Sequence, residues 1–194
     1  MVTGDGGVGG LTGTETTRMS EELVDVVDEL DRVVATVTRS RVRAEHLLHR
    51  VASVLVFHPD GRLLVHRRTD TKDVFPGAFD CFVSGVVTAG EGYEEARDRE
   101  LREEMGIEGA GAVELFRHRY EGIDDRSWSA IFAITWDGPV VPQVAEIAWH
   151  GWEPVARVLR RVEEPTFVPD GREVLLRWLD EGARLPPGTV GSLA

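Results

Sequence analysis

Residues Gly85–Ile107 read GVVTAGEGYEEARDRELREEMGI, and the rest of the chain is best read outward from them. Glu100, Glu103 and Glu104 stand three and four residues apart. In a helix that spacing brings them to one face, one turn apart. Like charges so placed repel, at roughly a few tenths of a kcal/mol per pair. A charged amphipathic helix stopped by Gly106 would account for the segment's shape. It would not account for the charge, because a helix that needs only solubility mixes signs along its face. Clustered carboxylates are what hard divalent cations such as Mg²⁺ and Mn²⁺ select, since these ions prefer oxygen ligands. Upstream, Gly85 and Gly90 bracket a short loop, where glycine admits backbone shapes that other residues resist.

Phe79–Val87 reads as a strand entering that loop, and Glu94–Met105 as the helix leaving it. Further out, Val24–Val27 and Val33–Thr38 flank the turn-like Asp28–Asp31 and predict a hairpin. Arg41–His49 has the pattern of a short helix. Val51–Phe57 and Arg62–Arg67 are apolar runs joined by His58-Pro59-Asp60-Gly61, a strong turn signal. Val113–Tyr120, Trp128–Trp136 and Glu146–Trp152 are further strands. Pro154–Arg161 and Gly171–Leu179 look helical, the first with proline near its start. A strand-rich centre with helices at the carboxylate segment and the C-terminus predicts an α+β fold. One domain spans 20–183. Residues 1–19 are rich in Gly and Thr without a hydrophobic period, the composition of a disordered N-terminal arm. Residues 184–194, with Pro186, Pro187 and Gly188, read as a C-terminal tail.

Composition fits a small enzyme. The chain has 194 residues, enough for one domain with some decoration, and its 42% hydrophobic content supports a core. No apolar run approaches membrane-spanning length, and the N-terminus lacks the charged start and apolar stretch of a signal peptide. A single cysteine, Cys81, excludes an internal disulfide and suits a reducing cytoplasm. A formal net charge of −12 argues against a nucleic-acid backbone as partner. It also means that a polyphosphate substrate has to be held by metal ions and local Arg or Lys.

The Gly85–Ile107 segment resembles the Nudix box, G-x5-E-x7-R-E-U-x-E-E-x-G-U with U aliphatic. The match holds without a gap at every fixed position: Gly85, Glu91, Arg99, Glu100, Leu101, Glu103, Glu104, Gly106 and Ile107. The resemblance implies a Nudix hydrolase, a metal-dependent enzyme cleaving a diphosphate linked to another group X. It also implies the Nudix α/β/α sandwich with a mixed β-sheet. Metal ions act in such chemistry as Lewis acids and lower the pKa of bound water. Glu100 and Glu104 are the expected main ligands, with Glu103 as third ligand or water-activating base. The resemblance adds the backbone carbonyl of Ser84 as a ligand. It makes Glu91 and Arg99 structural, tying the loop to the helix so that the ligands keep their geometry.

Outside the box, His49, Arg50, Arg67, Arg68, Lys72, Phe75, Pro76 and Gly77 resemble the branch that contains isopentenyl-diphosphate isomerase and its hydrolase relatives. Arg67, Arg68 and Lys72 are candidate cations for an anionic substrate, or solvated strand-end charges. His49 is a candidate ligand for metal or phosphate, or a structural histidine. Trp128 either stacks on the substrate or packs in the core. Glu146 is a late carboxylate, three residues beyond Gln143, where many family members carry an acid. The isomerase needs a thiol and a carboxylate on opposite faces of its substrate, and a histidine-rich metal site. Its thiol falls at Ser84, its histidines at Val86 and near Val42, and its glutamate near Ser127, leaving only His49. Cys81 reads instead as a small apolar residue on a buried strand.

The expectation is therefore an Mg²⁺- or Mn²⁺-dependent hydrolase of a nucleoside diphosphate derivative or related X-linked pyrophosphate. An isomerase and a non-catalytic nucleotide-binding regulator are the alternatives. The partner is a small-molecule diphosphate, and the resemblance makes a homodimer the expected assembly.

Overall fold

The computed structural model describes residues 21–123 and 125–190. The arm expected over 1–19 and the final residues of the tail, 191–194, lie outside the described residues. In chain order the elements are β1 (Leu23–Val27), β2 (Val33–Thr38), α1 (Arg39–Glu45), β3 (His49–Phe57), β4 (Leu63–Arg68), β5 (Phe79–Asp80), β6 (Phe82–Val86), α2 (Tyr93–Met105), β7 (Ala112–Glu121), β8 (Arg126–Thr135), β9 (Ile147–Glu153), α3 (Val155–Arg161) and α4 (Pro169–Asp180).

Strand β3 is the spine of a mixed sheet. It runs parallel to β8 from His49↔Ser127 to Phe57↔Thr135, and antiparallel to β6 from Val51↔Val86 to Leu55↔Phe82. Hairpin β1–β2 joins through Val26↔His49, β7 lies antiparallel to β8, and β9 and β5 both pair with β4. Side chains alternate across a strand, and both faces of β3 are apolar. Ala52, Val54 and Val56, with Ala130, Phe132 and Ile134 of β8, meet Tyr93, Ala96, Leu101 and Met105 of α2. Leu55 and Phe57, with Ile131 and Ala133, meet Val155 and Val158 of α3 and Val174, Leu175 and Trp178 of α4. A sheet buried on both faces between helices is the α/β/α sandwich, and it explains why β3 and β8 read as continuous apolar runs.

Both ends of α2 are set by sequence. Glu95 accepts a hydrogen bond from the Gly92 amide at 2.8 Å, closing the N-terminal turn. Gly106 takes the left-handed conformation at φ 65° and donates to the Arg102 carbonyl at 3.1 Å. Two more carbonyls of the last turn are satisfied from a distance: Val141 donates to Met105 and Gln143 to Glu104, each at 2.8 Å. The 141–143 segment is thereby fixed beside the carboxylate face.

Two expected elements change. The helix predicted over Arg41–His49 is shifted and shorter. It starts at Arg39 because the Thr38 hydroxyl accepts from the Arg41 amide at 3.4 Å, and it ends where His46 turns left-handed at φ 55°. His49 consequently opens β3, where it is buried. The strand predicted over Phe79–Val87 is broken at Cys81, because its first part pairs with β4 and its second with β3. Asp80 makes the break, its carboxylate accepting from the Phe82 amide at 3.0 Å. Residues 184–190 hold no helix or strand, and they lie along the domain. The Thr135 hydroxyl donates to the Pro187 carbonyl at 2.9 Å, and the Val190 amide donates to the Pro59 carbonyl at 2.7 Å.

Candidate active site

A cleft of about 620 Å³ opens over β6 and along α2. Arg99, Glu100, Glu103 and Glu104 line it from the helix, and Ser84 and Gly85 from the strand. Gly85 is needed for close approach: a Cβ there would lie 1.9 Å from the Glu100 carboxylate. Glu100 is thus pressed against the backbone just after Ser84, so its carboxylate and the Ser84 peptide share one corner of the cleft. The Ser84 hydroxyl turns the other way and donates to Ser53 Oγ at 3.0 Å.

Arg99 ties the corner together. Its Nε and Nη2 each reach the Glu91 carboxylate at 2.9 Å, and Nη2 also donates to the Val86 carbonyl at 2.9 Å. Its Nη1 contacts Glu100 Oε1 at 2.5 Å and lies 3.6 Å from Glu103. Glu91 is further held by the Thr88 amide and hydroxyl at 2.9 and 3.0 Å. Among the described residues no three His, Cys, Asp or Glu side chains form a ready-made metal cage. Arg99 occupies one flank of Glu100.

The acids here are short of positive charge. Burial, followed by the charge of Glu100, pushes Glu104 up to about 7. Burial also raises Glu100, against the opposing pull of Arg99. The cations acting on Glu104 are Lys72, Arg68 and Arg39, all of which line the cleft. Lys72 itself is lowered by burial and by Arg68, and it pairs with Glu146.

The cleft therefore gathers Glu100, Glu103, Glu104, Ser84, Gly85, Arg99, His49, Arg68 and Lys72 from the sequence candidates. Glu91 stands behind them as the partner of Arg99. Arg67 and Trp128, the other two candidates for substrate binding, do not line the cleft. Neighbours on a strand face opposite ways: Arg68 turns into the cleft, whereas Arg67 pairs with Asp70 at 2.7 Å. Ser127 and Ser129 lean toward each other at 3.4 Å on one face of β8, so the intervening Trp128 faces away. His49 Nδ1 donates to the Leu47 carbonyl at 3.1 Å, and its Nε2 lies 3.7 Å from Asp125.

Sequence reading missed Arg39, Asp80, Asp125 and Asp170, which also line the cleft. Asp80 offered a signal, an acid inside an apolar strand pattern. Asp170 follows Pro169 at the start of a helix, where an acid is ordinarily a helix-dipole partner and draws no attention.

The family profile described as NUDIX domain matches residues 47–179. The chain belongs to the Nudix family. An uncharacterized Nudix hydrolase of Streptomyces coelicolor is 44% identical over 174 residues, covering 89% of this chain and 96% of that protein. The uncharacterized Nudix hydrolase YfcD of Escherichia coli is 36% identical, covering 85% and 91%. Among solved structures, a crystal structure from Deinococcus radiodurans superimposes with a TM-score of 0.70 at 27% identity, covering 80% of this chain and 98% of that one. The chain's curated relatives are Nudix hydrolases, and its box occupies the carboxylate corner described above. No helix among the described residues is long and apolar enough to cross a membrane.

Two outcomes are expected of this Nudix site. Arg99→Ala leaves Glu91 and Glu100 without their shared partner in a partly buried setting, so unfolding free energy should fall by about 3 kcal/mol together with the rate. Unchanged urea denaturation with a raised KM alone would show that Arg99 contacts substrate instead. The second outcome concerns Asp80, which burial and the nearby Asp170 charge push up from 3.8 to about 8. The folded protein holds a proton there that the unfolded chain has lost, so stability declines as pH rises between those values. His66, held down to about 3 by burial, is neutral in the folded protein but still partly protonated in the unfolded chain just above its ordinary value of 6.5, so it offsets part of the trend at the lower end of the range and fades toward pH 8. From pH 6.5 to 8 the slope from Asp80 should be roughly 1 kcal/mol per pH unit. Urea unfolding across that range measures it, and Asp80→Asn should flatten it; an unaltered slope in the variant would refute the assignment.

Proposed function

We propose that this Nudix pyrophosphohydrolase cleaves, with a divalent cation, the diphosphate linkage of a nucleoside diphosphate derivative or a related X-linked pyrophosphate. The observation that carries the reading is the pairing of opposite charges in one cleft. Glu100, Glu103 and Glu104 stand on one side of the charge balance and Arg39, Arg68 and Lys72 on the other.

The donor set fits a hard cation. A buried carboxyl pushed up to about 7 beside a second carboxylate is a site short of positive charge. Gly85 keeps open the approach of Glu100 to the backbone that a Cβ would close. Glu100, Glu104 and the Ser84 carbonyl would hold the ion, Mg²⁺ with Mn²⁺ as substitute, and Glu103 would join them. When bound, such an ion supplies Lewis acidity and a more acidic water. Glu103, the most exposed of the three, is equally placed as the base that takes a proton from the attacking water. Arg39, Arg68 and Lys72 neutralise the phosphate oxygens, whose charge rises as the bond breaks. Arg99 and Glu91 hold the ligands still. A cytoplasmic setting and a homodimer remain the companion expectations.

Isomerisation of isopentenyl diphosphate is disfavoured by specific residues. Ser84 offers a hydroxyl where a thiol is needed, and Val86 offers no ligand atom. Cys81 is 2% exposed in the core cluster beneath α3 and α4, and burial raises its thiol well above 9, so it supplies no proton donor. A regulator that binds without turnover would have no use for the complete carboxylate set.

A screen of nucleoside diphosphate sugars, dinucleoside polyphosphates, coenzyme A, NADH and prenyl diphosphates with Mg²⁺ or Mn²⁺, reading phosphate after phosphatase treatment, tests the reading. On a substrate so found, Glu104→Gln should lower kcat by at least on the order of 100-fold. Its melting temperature should hold or rise, because a desolvated charge is removed. Chelation should abolish turnover. Activity within a few-fold of wild type in Glu104→Gln would sink the assignment. Incubation with isopentenyl diphosphate and either metal should yield no dimethylallyl diphosphate, and its formation at a catalytic rate would restore the isomerase reading.

A further inference from the structure

Two acids in the cleft, the buried Asp80 and the half-buried Asp170, have no part in the diphosphate chemistry. Asp80, at the end of β5, is 5% exposed. Asp170 is the second residue of α4, and its Oδ1 is shut off from solvent with no hydrogen-bond partner. Gly171 brings the two together: a Cβ there would lie 2.7 Å from Asp80 Oδ1, so any larger residue would push strand and helix apart. Both acids line the cleft and also a small polar hollow behind Ser84.

We propose that Asp80 and Asp170 form the subsite for the X group and recognise the hydroxyls of a neutral polyhydroxylated moiety, a sugar or polyol, carried on the diphosphate. The inference rests on the hydrolase reading of the same cleft and names the substrate class that the reading leaves open.

Several properties select hydroxyls. Burying an unpartnered carboxyl oxygen against an apolar X would leave its desolvation uncompensated. A hydroxyl donates to that oxygen and accepts in return from a protonated neighbour. Such a neighbour is present at neutral pH, because burial and the Asp170 charge push Asp80 up to about 8 while burial and Asp125 push Asp170 up to about 6. The pair thus offers both a donor and an acceptor, which suits an alcohol. Charged X groups suit it less. An anion would meet the carboxylate, and a cation would meet Arg68, whose charge acts on both acids. Among the described residues Phe75 is the only Phe, Tyr or Trp lining the cleft, so a flat base finds few rings to stack on.

The test uses two non-hydrolysable probes, the methylene-bridged diphosphonate monoesters of ribose (through its 5-hydroxyl) and of pentanol. Affinities are measured by calorimetry on the full chain with Mg²⁺. Wild type should bind the ribosyl probe on the order of tenfold more tightly than the pentyl probe, because a site built to hydrogen-bond a hydroxyl rejects the analogue lacking it. Asp170→Ala should bring that ratio close to one, and Asp170→Asn, which keeps a carbonyl acceptor, should leave it intermediate. The Asp170 carboxyl is held by the backbone N–H groups of Asp170 and Gly171 at the start of α4, which Asp170→Asn can still engage, and melting curves confirm that each variant is folded. Equal binding of the probes by wild type, binding of neither, or a preference that survives in folded Asp170→Ala would each overturn the inference. Hydrolysis of the parent diphosphates is read in a separate assay. Its absence beside an intact ribosyl preference would remove the hydrolase reading and leave the subsite standing.

Discussion

The guanidinium of Arg99 holds together what the rest of the site depends on. It takes both oxygens of Glu91, the Val86 carbonyl and Glu100 at the same time. A planar fork with fixed donors can do this, whereas the point charge of a lysine cannot. The consequence is geometric. The loop leaving β6 is fastened to the middle of α2, and three carboxylates that would otherwise repel are kept on one side of a cleft. Gly85 completes the arrangement by having no side chain where Glu100 must come closest.

Electrostatics then define the cleft. The chain as a whole carries a net charge of −12, and a molecule so acidic repels phosphates at a distance. Attraction has to be local, and Arg39, Arg68 and Lys72 arrive from α1, from β4 and from the loop after it to supply it. The acids are left in tension. Glu100, Glu104, Asp80 and Asp170 are all raised by burial as the leading cause. A cluster of this kind costs stability, and protein interiors keep such clusters where a ligand relieves them. The two groups of acids lie on different parts of the cleft, Glu100 and Glu104 on α2 and the aspartates between β5 and α4, as the proposed division between diphosphate and X group requires.

The framework around the site is less exacting. The sandwich is built from the alternation of β3 and β8, whose two faces feed separate clusters under α2 and under α3 and α4. The 141–143 segment caps the last carbonyls of α2 and thereby brings Gln143 and Glu146 to the rim. Helix capping and cleft formation are here one event, which couples the stability of α2 to the shape of the site.

The one-sign face of α2, its glycine stop and the loop before it were written in local order, because helical spacing converts sequence separation directly into proximity. Those residues carry the resemblance to the family, and with it the expected carboxylate set and the Arg99–Glu91 tie that the structure contains. Hairpin β1–β2, the β3–β4 turn and the later strands were legible for the same reason, as period and turn chemistry are local. Side-chain direction and long-range partners were not. Arg67 and Arg68 are indistinguishable as neighbours in sequence, and only the pairing of β4 with β5 and β9 decides which of them faces the cleft. Trp128 looked available until the register of β8 against β3 turned it away from the site. Asp80 and Asp170 stand ninety residues apart in the chain. They meet because β5 and α4 pack together over Gly171, a contact that depends on tertiary packing and leaves no trace in any local pattern.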